Sequence, residues 1–226
     1  MKIRLVIATR VSEKDFFEKT ATGRSIAISR PEFVEVRLFS NNLRGLPKLY
    51  NQAICEAIKN PAILIFIHDD IHILDYYWFN RVQEAIQNFQ IVGLAGNKRR
   101  VKKQPSWAFL DDSFNWDHKD NLSGIVGHGN RFPPNKLSVY GQPRQTVKLL
   151  DGLFLAANSS TLINNNIYFD EIFDFNFYDM DICRQAEIKK ISCGTWDLSV
   201  IHESGGNFGS EQWTLSYRKY LNKWDD

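Results

Sequence analysis

An uninterrupted apolar run in the middle of the chain constrains its fold more than any other feature. Residues 62–67 read Ala-Ile-Leu-Ile-Phe-Ile, and His68, Asp69 and Asp70 follow at once. A short run of this kind, rich in isoleucine, predicts a strand buried on both faces, as in the middle of a parallel α/β sheet. Ligands of such sheets bind beyond the carboxyl ends of the strands, so Asp69 and Asp70 are candidate functional residues. The alternative is that the two aspartates only begin a turn.

The segments around this strand alternate between the periods of strands and helices. Residues 1–8 and 33–39 are predicted strands, and an apolar stripe at helical spacing predicts a helix that begins at Pro47. A further helix is predicted at 75–89 and a fourth strand at 90–95. Strands and helices in this order make βαβ units and therefore a parallel sheet.

Local signals predict a short helix near the amino terminus. Ser12, with Asp15 three residues later, is typical of a helix start, and the helix is predicted to run through Lys19. Thr22 and Gly23 are predicted to break it.

Residues 96–146 differ from the rest of the chain. They are polar, rich in glycine and proline, and carry isolated aromatic residues without a period. Loops of this length are usually lids or binding loops, so a loop-rich segment with a binding role is predicted.

Regular patterns resume with a predicted strand at 147–157, which Asp151 and Gly152 interrupt. A glycine inside a strand indicates a bulge or a close approach of the backbone to a ligand. Asp179 and Asp181 lie near the predicted start of the next helix. Acidic residues there also complement the helix dipole, which is the alternative to a functional role.

Two aspartate pairs and a histidine at a predicted strand end require a common explanation: Asp69 with Asp70, Asp179 with Asp181, and His202. Carboxylates and an imidazole suit a divalent cation, and oxygen ligands favour Mg²⁺ or Mn²⁺. A second carboxylate could deprotonate an attacking hydroxyl group. These residues therefore predict a metal site with a general base.

Composition limits the class of protein. The 226 residues are 43% hydrophobic and 24% charged, which is typical of one soluble globular domain, and a net charge of +2 gives no reason to expect a nucleic-acid partner. Three cysteines without metal-ligand spacing fit a reducing cytoplasm. Neither a signal peptide nor an apolar run of the roughly 20 residues that span a bilayer is recognised, so we expect a cytoplasmic protein that is at most peripheral to a membrane.

Five short motifs follow one another along the chain: residues 49–53 (Leu-Tyr-Asn-Gln-Ala), 66–71 (Phe-Ile-His-Asp-Asp-Ile), 150–154 (Leu-Asp-Gly-Leu-Phe), 175–184 (Phe-Asn-Phe-Tyr-Asp-Met-Asp-Ile-Cys-Arg) and 200–203 (Val-Ile-His-Glu). In this order, they resemble the inverting family 2 glycosyltransferases with a GT-A fold, in particular the small bacterial members of the streptomycin-biosynthesis type. The resemblance covers roughly residues 1–205. It implies a Rossmann-like, mostly parallel sheet flanked by helices, a nucleotide-diphospho-sugar donor, and a saccharide or lipid-linked acceptor in cell-surface polysaccharide or glycoconjugate synthesis.

On the donor side, His68, Asp69 and Asp70 occupy the place of the family's DxD motif. Asp70 matches the carboxylate that binds Mn²⁺ or Mg²⁺, and Asp69 lies beside the ribose or the donor sugar. His68 departs from the first aspartate of the motif, which implies altered affinity for the metal and the diphosphate. The other donor contacts implied by the resemblance come from Thr9, Arg10, Ser40, Asn41 and Asn51.

On the acceptor side, Asp179 matches the catalytic base of the family's Glu-Asp pair, with Tyr178 in place of the glutamate. Asp181, two positions away, is the alternative base. His202 matches a histidine that completes the metal or diphosphate site. Asp151 and Gly152 match the floor of the sugar and acceptor site.

The resemblance divides one domain, residues 1–226, into a nucleotide-binding half (1–95), the loop-rich acceptor segment (96–146), a catalytic half (147–210) and a carboxyl-terminal amphipathic helix (211–226). A nucleotidyltransferase is one rival, although the turn after the first strand has no glycine-rich phosphate loop. A second rival is a non-catalytic sugar-nucleotide-binding protein of the same fold.

The last helix predicted from the sequence has an aromatic face. Trp213, Tyr217, Tyr220, Leu221 and Trp224 fall at helical spacing, and basic residues lie beside them. One hypothesis is that this face packs on its own domain. The other is that it docks on a membrane surface or on a second copy of the chain, since aromatic and basic residues together are typical of interfacial helices.

Overall fold

The computed structural model describes residues 2–225, and their strands form two sheets. In chain order, the strands are β1 (Ile3–Ala8), β2 (Val34–Phe39), β3 (Ile63–Ile67), β4 (Ile71–Ile73), β5 (Ile91–Gly93), β6 (Ala95–Asn97), β7 (Leu122–His128), β8 (Lys136–Gly141), β9 (Thr146–Val147), β10 (Leu149–Leu150), β11 (Phe154–Asn158), β12 (Cys193–Thr195) and β13 (Val200–His202).

The larger sheet has the strand order β2-β1-β3-β11-β5-β12-β9. β1 runs parallel to β2 and β3, whereas β11 runs antiparallel to β3 and β5. Every residue of β3 is buried, as the apolar run predicts. The carboxyl ends of β1 and β3 therefore meet at one edge, which is where Thr9, His68 and Asp69 lie.

The smaller sheet has the order β10-β6-β7-β13-β4, and β8 pairs with β7. It corrects the prediction of a loop at 96–146, because β7 and β8 form a hairpin there. Only one face of β8 is covered, so its side chains alternate without a long apolar run. The strand predicted at 90–95 is two strands, since the chain leaves the larger sheet after Gly93 and enters the smaller one at Ala95.

Helices cover the sheets. They are α1 (Glu13–Lys19), α2 (Ala21–Ser29), α3 (Leu46–Glu56), α4 (Trp78–Asn88), α5 (Ser159–Asn164), α6 (Tyr178–Ile188) and α7 (Glu211–Trp224), with a 3-10 turn at Lys119–Asn121. The prediction that Thr22 and Gly23 break the helix is wrong, because both residues lie inside α2. Thr20 caps this helix by accepting a hydrogen bond of 3.0 Å from Gly23 N, and a side chain at Gly23 would collide with the carbonyl of Phe16.

The aromatic face of α7 packs on its own domain. Trp213 and Tyr220 are buried, and their rings lie 5.3 Å from the ring of Phe177. The packing therefore supports the first hypothesis for this helix: Trp213 and Tyr220 are covered, and Tyr217 and Trp224 are partly buried against the same core. Among residues 2–225, the helices are too short or too polar to cross a bilayer.

Candidate active site

The loop after β3 is held from two sides. The hydroxyl of Thr22 on α2 donates to the carbonyl of His68 at 2.6 Å and accepts from Ile71 N at 3.1 Å. Across the sheet, His68 N donates to the carbonyl of Leu153 at 3.1 Å. These bonds fix the backbone that carries the three polar residues.

Two residues that are predicted to contact the nucleotide-sugar donor are joined by a direct hydrogen bond. Thr9, at the end of β1, donates a hydrogen bond of 2.6 Å from its hydroxyl to Asp69 Oδ2. Since β1 and β3 are neighbouring parallel strands, both side chains leave the sheet at the same edge. The pair forms a polar floor beside the cavity.

His68, Asp70 and His202 form a cluster that could hold a metal ion, with one ligand atom from each within 4.8 Å of the others. β13 pairs with β4, which brings His202 opposite Ile71, and His202 Nε2 lies 3.3 Å from Asp70 Oδ2. Burial would raise the pKa of Asp70, but the hydrogen bond and charge of His202 hold it well below its usual range. The carboxylate is therefore ionised, as a ligand must be.

One oxygen of this cluster has no protein partner. Asp70 Oδ1 is buried and accepts no hydrogen bond from any described residue. A buried charged oxygen without a partner is costly, and a bound cation would remove that cost. The donor set of one carboxylate and two imidazoles fits a divalent ion such as Mn²⁺.

Asp179, the predicted base, lies in the first turn of α6 beside the turn between β10 and β11. Its Oδ2 accepts from Gly152 N at 3.0 Å, and its Oδ1 accepts from Met180 N at 2.9 Å. Burial, with the nearby charge of Asp151, raises the pKa of Asp179 to about 7. That value suits a group that accepts and releases protons near neutral pH.

Asp151 is fixed by two donors. Trp107 Nε1 donates to its Oδ2 at 2.7 Å, and Leu153 N donates to its Oδ1 at 3.0 Å. The tryptophan comes from the segment between β6 and β7, so this segment contacts the turn between β10 and β11.

A cavity of about 560 Å³ brings most of the predicted site together. Its wall includes the predicted residues His68, Asp69, Asp70, Asp151, Gly152, Asp179 and His202. Aromatic side chains line much of the remainder: Trp107, Phe109, Trp116, Tyr140, Phe175, Phe177, Phe208 and Trp213. The cavity therefore joins a charged floor to an aromatic wall.

Asp181 lies apart from this cavity. Its side chain is fully buried and contacts Lys223 Nζ at 2.6 Å and Trp224 Nε1 at 2.9 Å, both on α7. Gln185 Nε2 donates to its other oxygen at 2.8 Å. Asp181 thus fastens α7 to α6 and does not line the cavity.

Five residues predicted to contact the nucleotide-sugar donor do not line the cavity, and one of them, Thr9, reaches it only through its hydrogen bond to Asp69. Asn51 holds the backbone of Phe169, donating to its carbonyl at 2.8 Å and accepting from its N–H at 2.9 Å. Arg10, Ser40 and Asn41 lie on the loops after β1 and β2, beyond the residues that line the cavity.

Several cavity residues were not predicted from the sequence. Lys136, Ser138 and Tyr140 alternate along β8, and this period of two could have indicated a strand with one face on the site. Trp107 and Phe208 lie in segments without a period, so no signal in the sequence singled them out.

No protein-family model matches the sequence of this chain. No curated protein matches it either. Solved structures share its fold. A197 from STIV has a TM-score of 0.54 and 10% identity over 91% of this chain and 87% of that protein. S. aureus TarS 1-349 in complex with UDP-GlcNAc has a TM-score of 0.51 and 13% identity over 93% of this chain and 61% of that one. GalNAc-T7 with UDP, GalNAc and Mn2+ has a TM-score of 0.59 and 11% identity over 99% of this chain and 49% of that one.

These likenesses confirm the predicted GT-A fold. The chain spans most of A197 but about half of GalNAc-T7. Membership of the inverting family 2, and of its streptomycin-type branch, stays a prediction.

Proposed function

We propose that this chain is a glycosyltransferase that moves a sugar from a nucleotide-diphospho-sugar to an acceptor hydroxyl with inversion, assisted by Mn²⁺ or Mg²⁺. One observation carries the proposal: the cluster of His68, Asp70 and His202 lines the same cavity as Asp179, whose pKa is about 7. A cation site for a leaving diphosphate and a base for an acceptor are the two groups that direct displacement requires.

On the donor side, His68, Asp70 and His202 would hold the cation, which supplies positive charge to the leaving diphosphate. Thr9 and Asp69 form the floor next to this cluster and suit the ribose or the donor sugar, because a paired hydroxyl and carboxylate can accept hydrogen bonds from hydroxyl groups. Arg10, Ser40 and Asn41 remain proposed contacts of the nucleotide base at the outer rim.

On the acceptor side, ionised Asp179 takes the proton of the acceptor hydroxyl. The acceptor oxygen forms a bond to the anomeric carbon while the bond from that carbon to the diphosphate oxygen breaks, and the electron pair leaves with the nucleoside diphosphate. Attack from the face opposite the leaving group inverts the anomeric centre. Gly152 N and Met180 N orient the carboxylate for this transfer.

The aromatic wall of the cavity suits a saccharide acceptor, free or lipid-linked, because sugar rings present apolar faces that pack on aromatic rings. The process that we propose is cell-surface polysaccharide or glycoconjugate synthesis in the cytoplasm. Two structures of the same fold hold UDP-GlcNAc and UDP with Mn2+, which supports uridine nucleotides as the first donors to examine.

The test is a thermal-shift panel of UDP-, GDP- and dTDP-sugars with MnCl₂, followed by assays of donor hydrolysis and of transfer to mixed saccharide acceptors. A donor at 100 times its dissociation constant should add about 2.7 kcal/mol of stability. Asp70→Ala should abolish both the shift and the turnover. Binding without hydrolysis or transfer would favour the non-catalytic alternative, and full turnover in excess EDTA would exclude the metal-assisted reaction.

A further inference from the structure

A chain of hydrogen bonds fixes the imidazole of His68. The hydroxyl of Tyr178 donates to the carbonyl of Gly152 at 2.9 Å, and the same oxygen lies 2.8 Å from His68 Nε2. A carbonyl can only accept, so the single proton of the hydroxyl is used there. The tyrosine oxygen must then accept from His68, and Nε2 carries a hydrogen.

The other ring nitrogen therefore presents a lone pair. His68 Nδ1 lies 4.0 Å from Asp70 Oδ1, which is too far for a hydrogen bond. That oxygen is itself buried without a partner among the described residues. Two electron-pair donors thus face one another across a short gap with no hydrogen between them, and a cation in the gap would satisfy both.

We infer that His68 is a cation ligand through Nδ1, that Tyr178 is the positioning residue that keeps this nitrogen free, and that the resulting site selects Mn²⁺ over Mg²⁺. The cation's part in catalysis rests on the proposed function, whereas its binding does not. Mg²⁺ binds through oxygen ligands and loses its water reluctantly, whereas Mn²⁺, like other divalent first-row transition metals, also accepts imidazole nitrogen beside a carboxylate. Once His202 releases the proton that it shares with Asp70 Oδ2, two imidazoles and one carboxylate, from His68, His202 and Asp70, favour Mn²⁺ over Mg²⁺.

Gly152 makes this arrangement possible. A side chain at this position would meet the hydroxyl of Tyr178 at less than a contact distance. The absence of a side chain lets the tyrosine reach both the Gly152 carbonyl and the imidazole. Removal of the hydrogen-bond partner of a metal-ligating histidine typically weakens metal affinity by about 10- to 100-fold.

The experiment is a titration of the full chain with MnCl₂, in which the electron paramagnetic resonance signal measures free Mn²⁺. Mg²⁺ serves as the competitor, and the titration is carried out both without UDP and with saturating UDP. We expect the wild-type protein to bind Mn²⁺ at least about tenfold more tightly than Mg²⁺. Tyr178→Phe should weaken Mn²⁺ binding by about 10- to 100-fold. Tyr168→Phe removes a hydroxyl from a half-buried tyrosine outside the cavity and should leave binding unchanged.

His68→Asp gives a second test that is independent of Tyr178. It replaces a nitrogen ligand by an oxygen ligand, so the ratio of Mn²⁺ to Mg²⁺ affinity should fall by about tenfold or more. Nitrogen couplings in the pulsed resonance spectrum of bound Mn²⁺ should decrease in the same variant. Circular dichroism confirms that each variant is folded before titration.

Unchanged Mn²⁺ affinity in folded Tyr178→Phe, an unchanged affinity ratio in folded His68→Asp, or no Mn²⁺ binding by the wild-type protein in either arm would overturn the inference. Because no donor sugar is turned over, a protein that binds Mn²⁺ as expected but transfers no sugar would overturn the proposed function and leave this inference standing.

Discussion

The backbone N–H of Gly152 donates a hydrogen bond of 3.0 Å to Asp179 Oδ2, and so joins the turn after β10 to the first turn of α6. Together with the bond from Met180 N to Oδ1, it holds the carboxylate in the wall of the cavity. Its burial, with the charge of Asp151 nearby, raises the pKa of Asp179 to about 7. The hydrogen bond from Gly152 N by itself lowers this pKa, so burial outweighs it and the proposed base titrates near neutral pH.

The first prediction concerns the pH dependence of transfer. Ionised Asp179 is the proposed base, so kcat/KM should rise tenfold per pH unit below about 7 and level off above it, because this parameter reports the free enzyme. Asp179→Asn should lower kcat by at least about 10²-fold, with donor affinity nearly unchanged. Initial rates across the pH range measure both effects. A flat profile in the wild-type enzyme would contradict the assignment.

The second prediction follows from the same group in the folding equilibrium. An unfolded chain has an ordinary aspartate pKa near 3.8, so between that value and about 7 the native state holds the proton more tightly. This contribution to stability is full below the lower value and is lost as pH rises through about 7.

Asp179→Asn has no carboxyl group to ionise at this position, so the variant does not lose this stability as the pH rises. Relative to the wild-type protein, the variant should gain stability between about pH 4 and about pH 8, by an amount on the order of a few kcal/mol. Urea unfolding of both proteins at several pH values measures the difference. If the difference in unfolding free energy between the two proteins does not depend on pH, the pKa of the Asp179 carboxyl is not raised in the folded protein.

The central strand and the residues that follow it could be predicted from the sequence, because a buried strand and its polar end leave a local pattern. The fold class followed from the same kind of pattern. Asp70, Asp179 and His202 were identified from local motifs, and the structure brings all three to one cavity.

The rest depended on contacts between distant parts of the chain. Asp179 and Asp181 are two positions apart in sequence, and only the packing of α7 shows that Asp181 forms an ion pair with Lys223. The hydrogen bond between His68 and Tyr178 joins residues 110 positions apart. Both residues depart from the resembled family's motifs, and no local pattern indicates that they touch.

The third prediction separates Asp181 from catalysis. Loss of its charge leaves Trp224 Nε1 with a weakened acceptor and Lys223 with Asp170 as its remaining anion. Breaking a buried pair of this kind costs about 3 kcal/mol, so Asp181→Asn should lower the melting temperature while the folded fraction keeps its kcat. Calorimetry and active-site-normalised rates test this. If Asp181→Asn instead loses turnover at wild-type stability, Asp181 is the base.

The last prediction concerns the support that α7 gives to the active site. Phe177, the residue before Tyr178 and Asp179, has a left-handed backbone with φ of 69°, a conformation that costs about 1 kcal/mol or more in a non-glycine residue. The rings of Trp213 and Tyr217 lie 5.3 Å and 5.5 Å from its ring and hold it in place.

Trp213→Ala should therefore cost about 3–5 kcal/mol of stability and also lower kcat in the molecules that remain folded. Leu215→Ala, on the same helix with a side chain that is 51% exposed, should change stability by less than about 0.5 kcal/mol and leave kcat unchanged. Urea unfolding and transfer rates of the two variants measure the contrast, and equal effects would show that the aromatic face of α7 does not support the start of α6.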